Sequence, residues 1–244
     1  MPSTLTIWTE AARPKTLWAA VAPIAMASAM AWRDGGFDAL TAVVCLITAM
    51  LLQVGTNFCN DYADFAKGTD TAERTGPVRA TAAGWVKPET MKRATVLTFG
   101  LAALVSLPLV LRGGWMLAPL MLAAIASGIL YTAGPKPLGY LGLGDLFVFV
   151  FFGPVAVAGT YYVQTLRLSE APLVAGVAPG LLSVAILVVN NLRDIEGDAR
   201  SGKRTLAVRL GPTFARWEYT LCLVGAALIP LLLVRSYGAP PNAA

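Results

Sequence analysis

The fold class this sequence predicts is an all-α integral membrane bundle of about seven transmembrane helices. Three observations predict it. Apolar residues make up 56% of the 244-residue chain and charged residues 14%, against roughly 25% charged in soluble domains. The mean hydropathy is +0.63. The 19 Lys and Arg and 14 Asp and Glu residues are clustered, so long stretches carry no charge with which to face water.

The charge-free stretches are 17–32, 39–59, 94–111, 113–135, 146–166, 171–192 and 219–234. A spanning helix needs about 20 mainly apolar residues, with a range of about 17–25. The five central runs reach that range, and the first and last borrow flanking residues. The first run also fits a cleaved signal peptide, with Arg13 and Lys15 before it and Ala27, Ser28 and Ala29 near its end. The bundle that follows needs a first helix to pack against, so the spanning reading is preferred. Internal prolines (Pro23, Pro108, Pro119, Pro154, Pro179, Pro230) are compatible with spans because neighbouring helices satisfy the freed backbone groups.

Charge placement predicts the orientation. With the N-terminus inside, all of the 19 Lys and Arg except Arg33, Arg112, Arg167 and Arg235 fall on the cytoplasmic side. Two cytoplasmic loops, 60–89 and 193–216, then hold the polar residues available for chemistry. The chain has no His, which excludes His triads, His metal sites and imidazole acid–base catalysis. Cys45, Cys59 and Cys222 share no metal or disulfide spacing. A net charge of +5 in such a chain reflects loops against anionic lipid and gives no reason to expect nucleic acid as a partner.

Both loops open on acidic clusters. The first holds Asn57, Asn60, Asp61, Asp64, Lys67, Gly68 and Asp70; the second holds Asn190, Asn191, Arg193, Asp194, Glu196, Asp198, Gly202, Lys203 and Arg204. In each, Asn precedes the acids and a glycine stands four residues beyond the last clustered aspartate. This weak internal repeat suggests two similar half-sites. If the helices continue, Asp61 and Asp64 (i, i+3) share a face, as do Asp194 and Asp198 (i, i+4). Carboxylates so placed repel unless a cation sits between them. An all-oxygen donor set suits Mg²⁺, which binds one or two carboxylates plus phosphate oxygens. Two facing half-sites predict two Mg²⁺ around an anionic phosphate group.

Lys67, Arg74, Arg79, Lys136, Lys203 and Arg204 lie on the same side of the membrane, as a diphosphate would require. The competing reading makes these cations topology signals with the acids as their partners. It is preferred for Lys87, Lys92, Arg93, Arg209 and Arg216, while the acids are read as functional because acid clusters at membrane helix ends usually are.

At this point the chain resembles the UbiA superfamily of membrane prenyltransferases, in particular the branch acting on 1,4-dihydroxy-2-naphthoate. The resemblance rests on Arg13-Pro14-Lys15-Thr16-Leu17, Asn60-Asp61-Tyr62-Ala63-Asp64 with Lys67-Gly68-Thr69-Asp70, and Tyr131 through Tyr140. It continues in Gly144-Asp145-Leu146, Phe152-Gly153-Pro154, Gly159-Thr160-Tyr161-Tyr162 and Asn190 through Gly211. It implies a single membrane prenyltransferase domain over 1–244 with a UbiA-like fold, in a bacterial inner membrane. It also implies Mg²⁺-dependent transfer from polyprenyl diphosphate to 1,4-dihydroxy-2-naphthoate, with loss of CO₂ and diphosphate.

By the same resemblance Asn60, Asp61 and Asp64 bind one Mg²⁺ with Asp70 close by, and Asp194 and Asp198 bind the other with Asn191 and Glu196 in support. Arg13, Lys67, Arg79, Lys136 and Lys203 hold the diphosphate. Tyr131 faces the allylic carbon, where an aromatic ring stabilises developing positive charge; a residue of the interfacial aromatic belt is the equal alternative, for it and for Tyr140, Tyr161 and Tyr162. The family usually has nine transmembrane helices against the seven counted here, so a shortened member or a fragment lacking the last two is expected. Other readings are a sister enzyme acting on 4-hydroxybenzoate, a CDP-alcohol phosphotransferase and a cation-coupled transporter. The phosphotransferase signature keeps its acids in one segment, and transporters place theirs near mid-membrane.

Overall fold

The computed structural model describes residues 2–69 and 76–238. The described residues form helices and no strand. A short α1 (Thr4–Ala12) precedes α2 (Pro14–Arg33), α3 (Ala39–Ala66), α4 (Pro88–Gly113) and α5 (Leu117–Leu130). Then come α6 (Gly144–Phe152), α7 (Pro154–Thr165), α8 (Glu170–Arg193), α9 (Ile195–Arg200) and α10 (Leu206–Tyr237).

The seven apolar runs appear as α2, α3, α4, α5, the α6–α7 pair, α8 and α10. Of these, α3, α4, α6–α7, α8 and α10 are long and apolar enough to cross a membrane by length and hydropathy. The shorter α5 has 14 residues, about 21 Å at 1.5 Å per residue. The chain is a multi-pass membrane protein: leucines such as Leu97, Leu104, Leu111 and Leu221 stand exposed on helix surfaces, where lipid covers them. Trp18, Trp32, Trp115 and Trp217 are also exposed, toward helix ends, as interfacial aromatic anchors are.

One run read as a single span is two helices. Its chain breaks at Gly153, before Pro154, where the ring cannot continue the hydrogen-bond ladder. The break lets α6–α7 close tightly on α8. A Cβ at Gly153 would lie 2.6 Å from the Gly176 carbonyl oxygen, and one at Gly176 would lie 2.7 Å from Pro154 Cα. Such small-residue contact is how helices approach each other in lipid. Likewise α10 is interrupted at Gly211 (φ 85°), next to Pro212.

The long α3 sets the height of the site. Its N-cap Asp38 accepts the Thr41 amide at 2.7 Å, and its 28 residues run about 42 Å, past a hydrocarbon core of about 30 Å. The last two turns therefore carry the first acidic cluster into the polar layer while still helical. There α1 lies across them, with Trp8 on Phe58 at 5.5 Å between ring centroids. At the opposite end Tyr161 donates to Asp34 (2.7 Å), Arg112 donates to the Val163 carbonyl (2.7 Å), and Tyr162 donates to the Gly113 carbonyl (2.8 Å). Tyr161 and Tyr162 thus tie helix ends together far from the acidic clusters.

Candidate active site

A cavity of about 610 Å³ opens between the two acidic clusters and runs down among α2 to α8. Its mouth is polar: Arg13, Asn60, Asp64, Arg79, Asp194 and Lys203 line it. Its depth is apolar, walled by Ile24, Leu52, Leu109, Met121, Phe147 and Phe151. The shape suits an amphiphile with an anionic head and a long hydrocarbon tail.

On the first side, neighbouring residues of α3 do different work. Asn57 donates to the Ala12 carbonyl (2.9 Å) and the Thr16 hydroxyl (3.3 Å), while Arg13 reaches the Asn57 carbonyl at 3.5 Å. These bonds hold Arg13 at the corner between α1 and α2, where it adopts a left-handed backbone (φ 53°) before Pro14. That conformation is unfavourable for a side chain with a Cβ, and a proline next in sequence disfavours the ordinary helical one. Asn60 Oδ1 accepts from the Thr132 hydroxyl. Asp64 accepts from the Tyr140 hydroxyl at 3.1 Å and lies 3.9 Å from Arg79 Nη2.

Asp61 departs from its expected place as a ligand. It does not line the cavity, and its two carboxylate oxygens accept the Ala80 amide (2.9 Å) and the Thr81 amide (3.0 Å). At 100° per residue Asp61 and Asp64 point about 60° apart. That is enough for Asp61 to cap the loop carrying Arg79 while Asp64 faces the cavity.

On the second side Asn190, Asn191, Asp194 and Lys203 line the cavity. The expected continuous helix is broken. α8 ends at Arg193, Asp194 sits at the junction (φ −93°, ψ 7°), and α9 starts afresh. Arg193 grips Asp194 in a two-pronged pair with both bonds at 2.8 Å. Asp198 is buried, 3.4 Å from Lys203 Nζ through one oxygen, while the other has no hydrogen-bond partner among the described residues. Burial pushes its carboxyl above the ordinary range, and Lys203 opposes that shift. Glu196 is exposed on α9 and does not line the cavity.

The cations also divide. Arg13, Arg79 and Lys203 line the cavity, together with Lys15, which the sequence does not single out as a diphosphate ligand. Lys67 and Lys136 do not. The Lys67 ammonium donates to the Thr132 carbonyl (2.6 Å) and the Gly134 carbonyl (3.3 Å), which ties the end of α3 to the loop after α5, and burial lowers its pKa. Lys136 is exposed on that loop. Asp70 and Arg74 lie outside the described residues.

Tyr131, at the C-terminal end of α5, lines the cavity. Gly139 and Gly144 give it room: a Cβ at Gly144 would lie 3.0 Å from its hydroxyl oxygen. Burial raises its pKa, and the carboxylates of Asp145, Asp64 and Asp198 add to that, with Arg13 opposing. Acids of both clusters are therefore close enough to act on one ring. Tyr140, indistinguishable in sequence from Tyr161 and Tyr162, stands at the site while those two do not.

The donors facing the cavity (Asn60, Asp64, Asn191 and Asp194) are all oxygen ligands or amides, and a buried Asp198 oxygen is unpartnered beside them. This set fits a hard divalent cation. Among the described residues no group of three or more His, Cys, Asp or Glu stands together as a metal site.

Known proteins share the sequence pattern and the fold of this chain. The model of the UbiA prenyltransferase family matches residues 20–243. The chain is 44% identical over 232 residues to 1,4-dihydroxy-2-naphthoate octaprenyltransferase of Escherichia coli, covering 93% of this chain and 75% of that protein. It is 43% identical over 228 residues to the Mycobacterium tuberculosis protein of the same name, with 93% and 77% covered. A UbiA homolog from Archaeoglobus fulgidus, solved bound to DMAPP and Mg²⁺, superposes with a TM-score of 0.68 over 97% of this chain and 80% of that one. At 16% identity that likeness speaks for the fold.

Proposed function

Since the chain belongs to the UbiA prenyltransferase family, we propose that it transfers a polyprenyl group from polyprenyl diphosphate to 1,4-dihydroxy-2-naphthoate. CO₂ and diphosphate leave, and the product is demethylmenaquinol, a menaquinone precursor. One observation carries this reading: a single cavity joins a cationic, carboxylate-lined mouth to an apolar channel.

Arg13, Arg79 and Lys203 bind the diphosphate at the mouth, and Lys15 extends that positive rim. Asn60 and Asp64 on one side, with Asn191, Asp194 and Asp198 on the other, are the residues that would hold Mg²⁺ there. When bound, Mg²⁺ supplies neutralisation of the charge that grows on the leaving diphosphate. Preorganised cations aimed at a developing anion are often the largest catalytic contribution. The Tyr131 ring offers its face to the allylic carbon as that carbon becomes positive. The naphthoate ring attacks, and loss of CO₂ restores aromaticity without a strong base, in keeping with a chain that has no His. The isoprenoid tail lies in the apolar channel, where each buried methylene is worth about 0.8 kcal/mol. The excess of Lys and Arg at the acidic end supports a cytoplasmic position for that end.

The test is incubation of the membrane-embedded protein with a series of prenyl diphosphates and either 1,4-dihydroxy-2-naphthoate or 4-hydroxybenzoate, with products weighed by mass spectrometry. The reading expects a prenylated naphthoquinol lacking the carboxylate mass, and trapped CO₂. Product from 4-hydroxybenzoate alone, with its carboxylate retained, would overturn the acceptor.

A further inference from the structure

The loop joining α5 to α6 contributes one side chain that touches both acidic clusters. We propose that Tyr140 is a positioning residue that sets the spacing and orientation of the two half-sites; the inference rests on the functional reading above. Its hydroxyl donates to Asp64 Oδ1 (3.1 Å) and pairs with the Thr69 hydroxyl (2.6 Å). With the Tyr140 proton directed to the carboxylate, Thr69 is left as the donor of the second bond, giving a chain from Thr69 through Tyr140 to Asp64. The ring carries cations from both sides: Lys67 Nζ is 4.6 Å and Lys203 Nζ 6.0 Å from its centroid. The backbone joins in, for the Tyr140 carbonyl accepts the Arg204 amide at 3.2 Å. Asp64, Lys67 and Thr69 belong to the first cluster, and Lys203 and Arg204 to the second, 130 residues and more along the chain.

The arrangement has a physical consequence. Two ammonium groups near one another repel, and a ring face between α3 and the α9–α10 loop attracts each. Lys203 is thereby held at the cavity mouth beside Asp198. The hydroxyl fixes the carboxylate of Asp64 so that its second oxygen faces Arg79. Tyr140 acts through Asp64, Lys67 and Lys203; it does not line the cavity.

Two variants separate ring from hydroxyl. Tyr140→Phe keeps the ring, so KM for the prenyl diphosphate should stay within about twofold while kcat drops roughly tenfold, the scale of one hydrogen bond to a carboxylate. Tyr140→Leu removes the ring as well and should raise that KM roughly tenfold more. A second readout needs no turnover: the rise in Tm on adding Mg²⁺ with inorganic pyrophosphate. Wild type and Tyr140→Phe should show equal rises, and Tyr140→Leu less than half. Wild-type kinetics in Tyr140→Phe, or identical losses in Phe and Leu with the same pyrophosphate response in all three proteins, would overturn the proposal. Failure of wild type to transfer any prenyl group, with the pyrophosphate responses still ordered as stated, would count against the functional reading and leave the positioning role supported.

Discussion

Asp61 accepts the backbone amide of Ala80 at 2.9 Å, and the residue before Ala80 is Arg79, whose guanidinium lies 3.9 Å from Asp64. Two aspartates three residues apart thus act on one arginine, the first by placing its loop and the second by pairing with it.

Removing each should leave a different signature. Asp61→Ala orphans two buried amides, each worth roughly 1–3 kcal/mol, so it should lower the Tm and raise KM for the diphosphate through a displaced Arg79. Asp64→Ala should abolish turnover, with a smaller loss of Tm because no buried backbone amide loses its partner. Thermal unfolding in detergent beside steady-state kinetics distinguishes them; matching profiles for the two variants would contradict the division of labour.

The helix crossing at Gly176 is open to the same kind of check. Gly176→Ala places a Cβ 2.7 Å from Pro154 Cα, backbone that cannot yield cheaply, and should destabilise by roughly 1–3 kcal/mol. Gly159→Ala meets nothing within 4 Å and should be neutral or gain roughly 0.5–1 kcal/mol from helix propensity. Denaturation midpoints of the two variants measure the difference.

Stability should depend on pH through Asp198. Its carboxyl is raised by burial, so the folded protein holds that proton more tightly than the unfolded chain does. The sign follows: the contribution of Asp198 to stability is full below the ordinary carboxylate value and is lost as pH rises through the raised one. Without Mg²⁺, Tm should decline across that interval, and Asp198→Asn should lessen the decline. Mg²⁺ with pyrophosphate should flatten it by giving the carboxylate a cation. A Tm slope unchanged by the Asn variant would contradict this.

Much of the architecture was legible in sequence because lipid imposes a simple demand: charge-free runs become helices, and the runs coincide with α2 to α8 and α10. The two clusters were legible because acids are scarce elsewhere. What escaped were choices made by packing. Whether Asp61 or Asp64 faces the cavity depends on the 80–81 loop that comes to meet one of them, from 19 residues away. Whether Asp194 and Asp198 share one helix depends on a break after Arg193 that no glycine or proline announces. Lys67 looked like a phosphate ligand, yet carbonyls of a loop 65 residues distant accept its hydrogen bonds. Tyr140 emerged from among four similar tyrosines only through its contacts with Asp64 and Lys203.

The most direct measurement is a double-mutant cycle on binding of a non-hydrolysable prenyl thiolodiphosphate with Mg²⁺, using Asp64→Asn, Asp194→Asn and the pair together, followed by calorimetry. If one diphosphate is gripped from both sides, each single variant should weaken binding roughly tenfold or more, and the double variant should fall well short of the product of the two losses. Losses that multiply in full would mean that the two aspartates act on separate ligands.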